Sequence, residues 1–289
     1  MLSAARPDQE VAGPESESAP APFLKWAGGK RQLLPELLKE VPEQFDTYYE
    51  PFVGGGALFF ALAAAGRFRR AVLADCNPDL IACYGAIKSD VDGVIAALRP
   101  LPVSSDEYYE IRARDPKGMS PAERAARTIY LNKVGFNGLY RVNSRGQFNV
   151  PYGRHKNLQV CNEPRLRAAA RVLRDVTLDC GDFAEAVASA RPQDFVYFDP
   201  PYVPVSSTAF FTAYAESPFG PTEQARLAGV LRELGKRRVP ALLSNSDCPT
   251  TRSLYRGLRP RKVEVRRNIN SVAARRGPVG ELLVKSFSF

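Results

Sequence analysis

Phe195-Val196-Tyr197-Phe198-Asp199-Pro200-Pro201-Tyr202 is the stretch from which the fold of this 289-residue chain is read. Four apolar residues in a row suit a strand buried on both faces, as in a parallel sheet covered by helices. An aspartate and two prolines then end the strand. Neither proline can donate to a ladder, and their fixed φ stiffens the loop that follows.

Working outward, Tyr48-Tyr49-Glu50-Pro51-Phe52-Val53 and Ala71-Val72-Leu73-Ala74 are apolar runs that also stop at glycine or aspartate, and Ala241-Leu242-Leu243-Ser244 is a fourth. Helical patterns lie between them, at Ala57 to Ala65 and at Thr222 to Gly235, where Thr222 followed by Glu223 is an acceptable helix start. Gly280 to Phe289 reads as a last strand. Strands alternating with helices predict an α/β fold with a doubly wound sheet.

The middle departs from this alternation. From about Ala86 to Arg174 the pattern is helical, and it then gives two short β-like runs, Gly138 to Val142 and Gln147 to Val150, around the turn residues Asn143-Ser144-Arg145-Gly146. The expected organisation is a disordered tail over 1–21, rich in proline and acid. An α/β domain follows, made of 22–85 and 176–289, with an insertion at 86–175 that carries a basic hairpin. Inserted segments of this kind often hold substrate recognition.

Composition narrows the function. The chain is 45% hydrophobic and 25% charged, ordinary for a globular protein. No apolar run is long enough for a bilayer span, and the start lacks a signal-peptide core, so a cytoplasmic protein is expected. The five cysteines show no CxxC pair and His155 is the sole histidine, so no metal site is expected and the thiols read as reduced and buried. The net charge is +9, concentrated in two blocks. Arg124 to Asp175 holds eleven Lys/Arg against Glu163 and Asp175, and Arg252 to Arg276 holds nine against Glu264. Such blocks suit a polyanion or a solvated surface.

Three constellations carry chemistry. In Glu50-Pro51-Phe52-Val53-Gly54-Gly55-Gly56, glycines directly after a strand let the backbone approach a ligand at the head of the next helix. A dinucleotide fingerprint would place another glycine where Phe59 stands, so a ligand without pyrophosphate fits better. Asp75, nineteen residues after Gly56, stands where ribose hydroxyls are held in such folds, or it caps the helix after it. Together these suggest an adenosine-containing cofactor. The third is Asp199-Pro200-Pro201-Tyr202. An aromatic amine is a poor nucleophile because its lone pair is delocalised. Two acceptors on its hydrogens, the Asp199 carboxylate and the Pro200 carbonyl, localise that pair and stabilise the charge that develops during attack. The prolines preorganise the carbonyl, and Tyr202 offers a stacking face for a base turned out of the helix.

These motifs, with Phe23-Leu24-Lys25-Trp26-Ala27-Gly28-Gly29-Lys30, Phe136-Asn137-Gly138-Leu139-Tyr140-Arg141, Phe148-Asn149-Val150-Pro151-Tyr152-Gly153 and Gly181-Asp182-Phe183, make the chain resemble the Dam-type DNA adenine N6-methyltransferases from about Phe23 onward. The resemblance implies a Rossmann-like methyltransferase sheet with an inserted helical and β-hairpin target-recognition domain, S-adenosylmethionine as methyl donor, double-stranded DNA as partner, a monomer, and GATC as target. It implies that Trp26, Lys30, Phe52, Gly54, Gly56, Asp75, Asp182, Phe183 and Asp199 hold the cofactor, and that Asp199, Pro200, Pro201 and Tyr202 are catalytic. Arg141 would read guanine bidentately or contact phosphate. Leu139, Pro151 and Lys25 would meet base edges, and Phe136 and Asn137 would enter the stack beside the displaced base. Arg266, Arg267, Arg275 and Arg276 would meet phosphates, and Ser244 to Asp247 would line the cleft. The chain has no Pro-Cys, only Cys248-Pro249 in the reverse order, which argues against cytosine-C5 chemistry. Methylation of structured RNA, and DNA binding without catalysis, are the alternatives.

Overall fold

The computed structural model describes residues 19–26, 28–155, 158–204, 219–266 and 278–288. Residues 1–18 of the expected tail, and Arg267, Arg275 and Arg276, lie outside the described residues. Seven strands form one sheet: β1 Thr47–Glu50, β2 Arg70–Asp75, β3 Val176–Cys180, β4 Phe195–Phe198, β5 Ala241–Ser246, β6 Arg259–Arg266 and β7 Pro278–Lys285, in the order β3-β2-β1-β4-β5-β7-β6. The first five run parallel, and β7 pairs antiparallel with both β5 and β6. The chain leaves β1 toward β2 on one side and returns as β4 on the other. That reversal opens a crevice at the carboxyl ends of β1 and β4, where α/β sheets bind their ligands.

The strand quoted at the outset shows why the sheet is buried on both faces. Phe195 and Tyr197 enter one hydrophobic cluster, while Val196 and Phe198 enter the other, the period-2 alternation of a pleated strand. The helix after β1, α2 (Ala57–Ala64), is apolar all round and correspondingly buried, with Leu58, Phe59, Phe60 and Leu62 inside. The helix after β2, α3 (Pro78–Ser89), starts on Asn77, whose side chain accepts from the Asp79 and Leu80 amides, with Pro78 in the first turn. Asn77, not Asp75, is therefore the cap.

The middle segment contributes α4 (Val91–Leu98), α5 (Ser105–Ala113), α6 (Pro121–Val134) and α7 (Glu163–Leu173). Their apolar residues, among them Ile95, Tyr108, Ile129 and Leu166, share one continuous core with β1, β2 and β4. The expected boundary at 85/86 falls inside α3. α6 is fixed at its start by a capping box between Ser120 and Glu123 and ends at Gly135, where the basic hairpin begins. The two β-like runs of the hairpin are joined by the isolated bridge Val142–Phe148 and a hydrogen bond from the Asn149 amide to the Arg141 carbonyl, and a second bridge, Gly135–Tyr152, closes the hairpin base. The remaining α-helices among the described residues are α1 (Leu34–Glu40), α8 (Phe183–Ala186), α9 (Pro221–Lys236) and α10 (Pro249–Leu254). α9 begins at Pro221, one residue before the expected start, with Gly220 at the cap position, and Thr222 makes no cap.

Two strands were not foreseen. β3, Val-Thr-Leu-Asp-Cys, is an edge strand with three of its five residues exposed, and β6, Arg-Pro-Arg-Lys-Val-Glu-Val-Arg, is the opposite edge. Edge strands tolerate charge and proline, so neither shows the apolar run of a buried strand. The thiols also divide. Cys83 and Cys248 are buried, whereas Cys76 and Cys180 are exposed, and all five are free. Among the described residues no helix is long and apolar enough to cross a membrane.

Candidate active site

The carboxyl ends of β1, β2, β3, β4 and β5 carry the glycine loop, Asp75, Asp182 with Phe183, Asp199 and Ser244 to one side of the sheet, where the segment around Lys30 joins them. At the centre of this group is Asp199. The buried Lys30 ammonium lies 2.7 Å from Asp199 Oδ1, donates to the Gly28 carbonyl at 2.6 Å, and sits 4.5 Å from the centroid of the Tyr202 ring. Ser244, at the end of β5, donates to the same Oδ1 at 3.1 Å, and the Tyr197 hydroxyl is 2.9 Å from Ser244 Oγ. Burial raises the Asp199 carboxyl above the ordinary aspartate range, while the Lys30 charge and the two hydrogen bonds pull it back down. Among the described residues both partners of Asp199 engage Oδ1.

The loop after Asp199 is held by groups remote in sequence. The Pro201 carbonyl accepts from Gln224 Nε2 at 2.7 Å. Gln224 Oε1 accepts from Asn245 Nδ2 at 3.1 Å, and Asn245 Oδ1 accepts from the Val203 amide at 3.1 Å. Gln224 and Asn245 are fully buried, so an unpaired amide there would cost about 1–3 kcal/mol. The Tyr202 hydroxyl donates to Glu281 Oε2 at 2.9 Å. Next to this loop, Glu50 is buried and accepts from the Tyr48 hydroxyl at 3.0 Å; burial drives its carboxyl well above the usual range, with Tyr48 opposing.

The glycine loop lies one strand over. Gly54 and Gly56 have φ of 47° and 66°, a region that side chains with a Cβ rarely occupy. A β-carbon on Gly54 would stand 2.8 Å from Trp26 Cδ1, so the loop and the indole are packed face to face. Asp75 accepts from the Gly54 amide at 3.1 Å and the Asn77 amide at 3.0 Å, joining the glycine loop to the start of α3; burial raises its carboxyl. Farther along, Phe52 stacks on Phe183 with centroids 5.4 Å apart, the Arg226 guanidinium covers Phe183 at 4.1 Å, and Arg226 pairs bidentately with Asp182. Asp182 also caps α8 through the Ala184 amide.

The hairpin borders the crevice on the Trp26 side. Phe136 and Leu139 are among the few large apolar side chains left in solvent, and Asn137 and Gly138 turn the chain through left-handed φ of 55° and 65°. Gly138 also lies under the Lys25 side chain, where a β-carbon would come within 2.6 Å. The buried Asn132 ties the two segments together: it accepts from the Lys25 amide and donates to the Lys25 and Gly138 carbonyls. Arg141 is exposed and is braced by Asn149 through Nε at 2.7 Å and a terminal nitrogen at 3.1 Å. The Pro151 carbonyl accepts from the Phe136 amide, closing the hairpin base.

The basic blocks are partly consumed inside the protein. Arg261 pairs with Glu36 and Glu40, Arg252 with Asp247, and Arg167 with Asp92 and Glu163. The count of Lys and Arg therefore overstates the free positive surface. Among the described residues no group of three or more His, Cys, Asp or Glu could hold a metal ion. Sequence reasoning missed Gln224, Glu281 and Tyr140. A glutamine three residues into a helix, and a glutamate in a terminal strand, carry no local mark of what they face.

Comparison with known proteins follows the same outline. The sequence matches the model of the D12 class N6 adenine-specific DNA methyltransferases over residues 26–270. It is 42% identical over 274 residues to the Type II methyltransferase M1.LlaDCHI of Lactococcus lactis subsp. cremoris, spanning 92% of this chain and 95% of the relative. It is 39% identical to the Type II methyltransferase M.MjaIII of Methanocaldococcus jannaschii, spanning 92% and 99%. It is 40% identical to the DNA adenine methylase of Escherichia coli K12, spanning 90% and 93%.

Proposed function

The chain belongs to the D12 class of N6 adenine-specific DNA methyltransferases, and from that membership and the crevice geometry we propose that it methylates the N6 amine of adenine within GATC in duplex DNA, on a base turned out of the helix. The observation that carries the reading is the fixed Asp199-Pro200-Pro201-Tyr202 loop at the switch point of the sheet, beside a glycine loop with a strand-end acid.

The cofactor side fits S-adenosylmethionine. The left-handed Gly54 and Gly56 form a cradle with no room for side chains, and Asp75 offers carboxylate oxygens to ribose hydroxyls. Trp26 and Phe52 offer aromatic faces, Asp182 and Phe183 serve the adenine end, and Lys30 the carboxylate end. When bound, this group supplies an electrophilic methyl carbon on a sulfonium.

The chain's own residues do the rest. Lys30 and Ser244 hold Asp199 through Oδ1, which leaves Oδ2 as the acceptor for one amine hydrogen. The Pro200 carbonyl takes the other. Acceptors on both hydrogens would return the lone pair to nitrogen, so that the amine could take a methyl from a bound sulfonium whose C–S electron pair leaves on sulfur, and the Asp199 charge would stabilise the cationic amine until it loses one proton to solvent. The Tyr202 ring, held by Glu281, stacks on the base. Phe136 and Asn137 fill the gap it leaves, and Arg141 matches guanine O6 and N7, with Leu139, Pro151 and Lys25 against neighbouring edges. The 86–175 segment acts as the recognition unit.

The test is transfer of labelled methyl from S-adenosylmethionine to duplexes with one GATC, duplexes with that site scrambled, and a structured RNA of the same length. Label at N6 of adenine in GATC alone is the expected result. Transfer to RNA but not DNA would sink the proposal, and equal transfer to scrambled duplexes would remove the GATC assignment.

A further inference from the structure

Tyr140 sits between Leu139 and Arg141, two residues with proposed base contacts, yet its own ring turns inward. It stacks on Trp26 with centroids 5.2 Å apart and planes 29° from parallel, and it meets Phe148 on the far side of the hairpin edge-on at 5.7 Å. Its hydroxyl donates to Asp79 Oδ2 at 2.8 Å. Each partner belongs to a different part of the crevice. Trp26 packs against Gly54 of the glycine loop. Asp79 is in the first turn of α3, whose start is joined by Asn77 and Asp75 back to that same loop. Asp79 also faces Arg124 of α6, the helix that ends where the hairpin starts. One side chain thus spans the glycine loop, the head of α3 and both arms of the hairpin.

We propose that Tyr140 is a positioning residue that couples the two ligand sites: cofactor seated at the glycine loop fixes Trp26, the Trp26–Tyr140 stack fixes the hairpin, and DNA binds to the hairpin so fixed. The inference rests on the methyltransferase reading above and deepens it. The physical basis is linkage. If the cofactor favours the arrangement of Trp26 that also favours the DNA-competent hairpin, each ligand tightens the other by the same factor, and that factor is carried by the contact between them. Tyr140 itself is assigned no contact with either ligand, so losing its ring and hydroxyl removes the coupling while the separate sites remain.

Trp26 is the only tryptophan in the chain, so its fluorescence reports on this contact without interference. The experiment uses the full chain, S-adenosylhomocysteine as probe for the cofactor site and a fluorophore-labelled GATC duplex for the other. Duplex affinity is measured by anisotropy with and without the probe, and indole emission is followed as duplex is added alone. In the wild type the probe is expected to tighten duplex binding about fivefold or more, the lower end of ordinary coupling, and duplex alone should change the indole emission. Tyr140→Phe keeps the stack and should retain most of both effects. Tyr140→Ala should bring the coupling to within about twofold of none and abolish the emission change. Tyr140→Leu carries the same test if the alanine variant does not fold. Coupling that survives in Tyr140→Ala, or that is absent from a wild type binding both ligands, overturns the inference while leaving the methyltransferase reading intact. A wild type that binds neither ligand overturns the reading and the inference together.

Discussion

The loop after β4 and the hairpin after α6 both carry side chains assigned to the proposed function, but they are held in opposite ways. In the first, almost every polar group is satisfied from within. Asp199 by Lys30 and Ser244, the Pro201 carbonyl by Gln224, and Tyr202 by Glu281 form a network whose partners come from two strands, a helix and the segment before the first helix. In the second, the base is fixed by Asn132 and the Pro151 carbonyl, while Phe136, Leu139 and Arg141 are left in solvent. The contrast suits the two tasks proposed for these regions. Chemistry on a weak nucleophile needs acceptors that do not reorganise, whereas reading a duplex needs side chains that are free until DNA arrives.

If that contrast is right, variants in the two regions should fail differently. Asp199→Ala should have the largest effect, lowering transfer by at least about 10²–10³-fold, the scale of removing one preorganised electrostatic partner, with duplex affinity kept. Residual turnover within tenfold of wild type would break the account of the loop. Lys30→Met comes next. The Asp199 carboxyl is raised by burial and lowered by Lys30, and it works only as carboxylate. Transfer should therefore fall as pH drops through a midpoint above that of an ordinary aspartate, and removing Lys30 should move that midpoint upward as well as reduce the rate. An unchanged acid limb in the pH–rate profile would show that Lys30 does not act on Asp199.

Gln224→Ala leaves the Pro201 carbonyl and Asn245 without their partner. It should destabilise the fold by about 1–3 kcal/mol in denaturant unfolding and lower kcat more than the duplex Kd. A full-rate, fully stable variant would mean the loop needs no such bracing. Arg141→Ala should leave stability alone and reduce discrimination between GATC and a site with altered guanine by about 1–3 kcal/mol. A uniform loss across all duplexes would assign Arg141 to phosphate instead. Smallest is Phe136→Ser, which should change folding stability by no more than about 0.5 kcal/mol because the ring is already in solvent. A larger loss would mean the hairpin depends on that ring for its shape.

Legibility in the sequence followed burial and locality. β4 was readable as Phe195 to Phe198 because a strand covered on both faces must be apolar throughout, while β3 and β6 were not, because edge strands need not be. The basic blocks show the same limit in reverse: they point to a polyanion without showing which charges are free to meet it. Composition counts charges and cannot see that Arg261 is turned onto Glu36 and Glu40.

The sequence by itself determined the local features that lie along the chain: the glycines that take positive φ after β1, the acid at the end of β2, and the aspartate with two prolines that follows β4. These depend on backbone chemistry over a few residues, which a local pattern records. Tertiary structure alone decided which remote side chains complete them. Lys30 against Asp199, Gln224 against Pro201, Glu281 against Tyr202 and Tyr140 against Trp26 depend on the order β3-β2-β1-β4-β5-β7-β6 and on the packing of the hairpin beside the glycine loop. A period-2 or period-3.6 pattern says which face of an element is buried, and it carries no information on which element lies across from it.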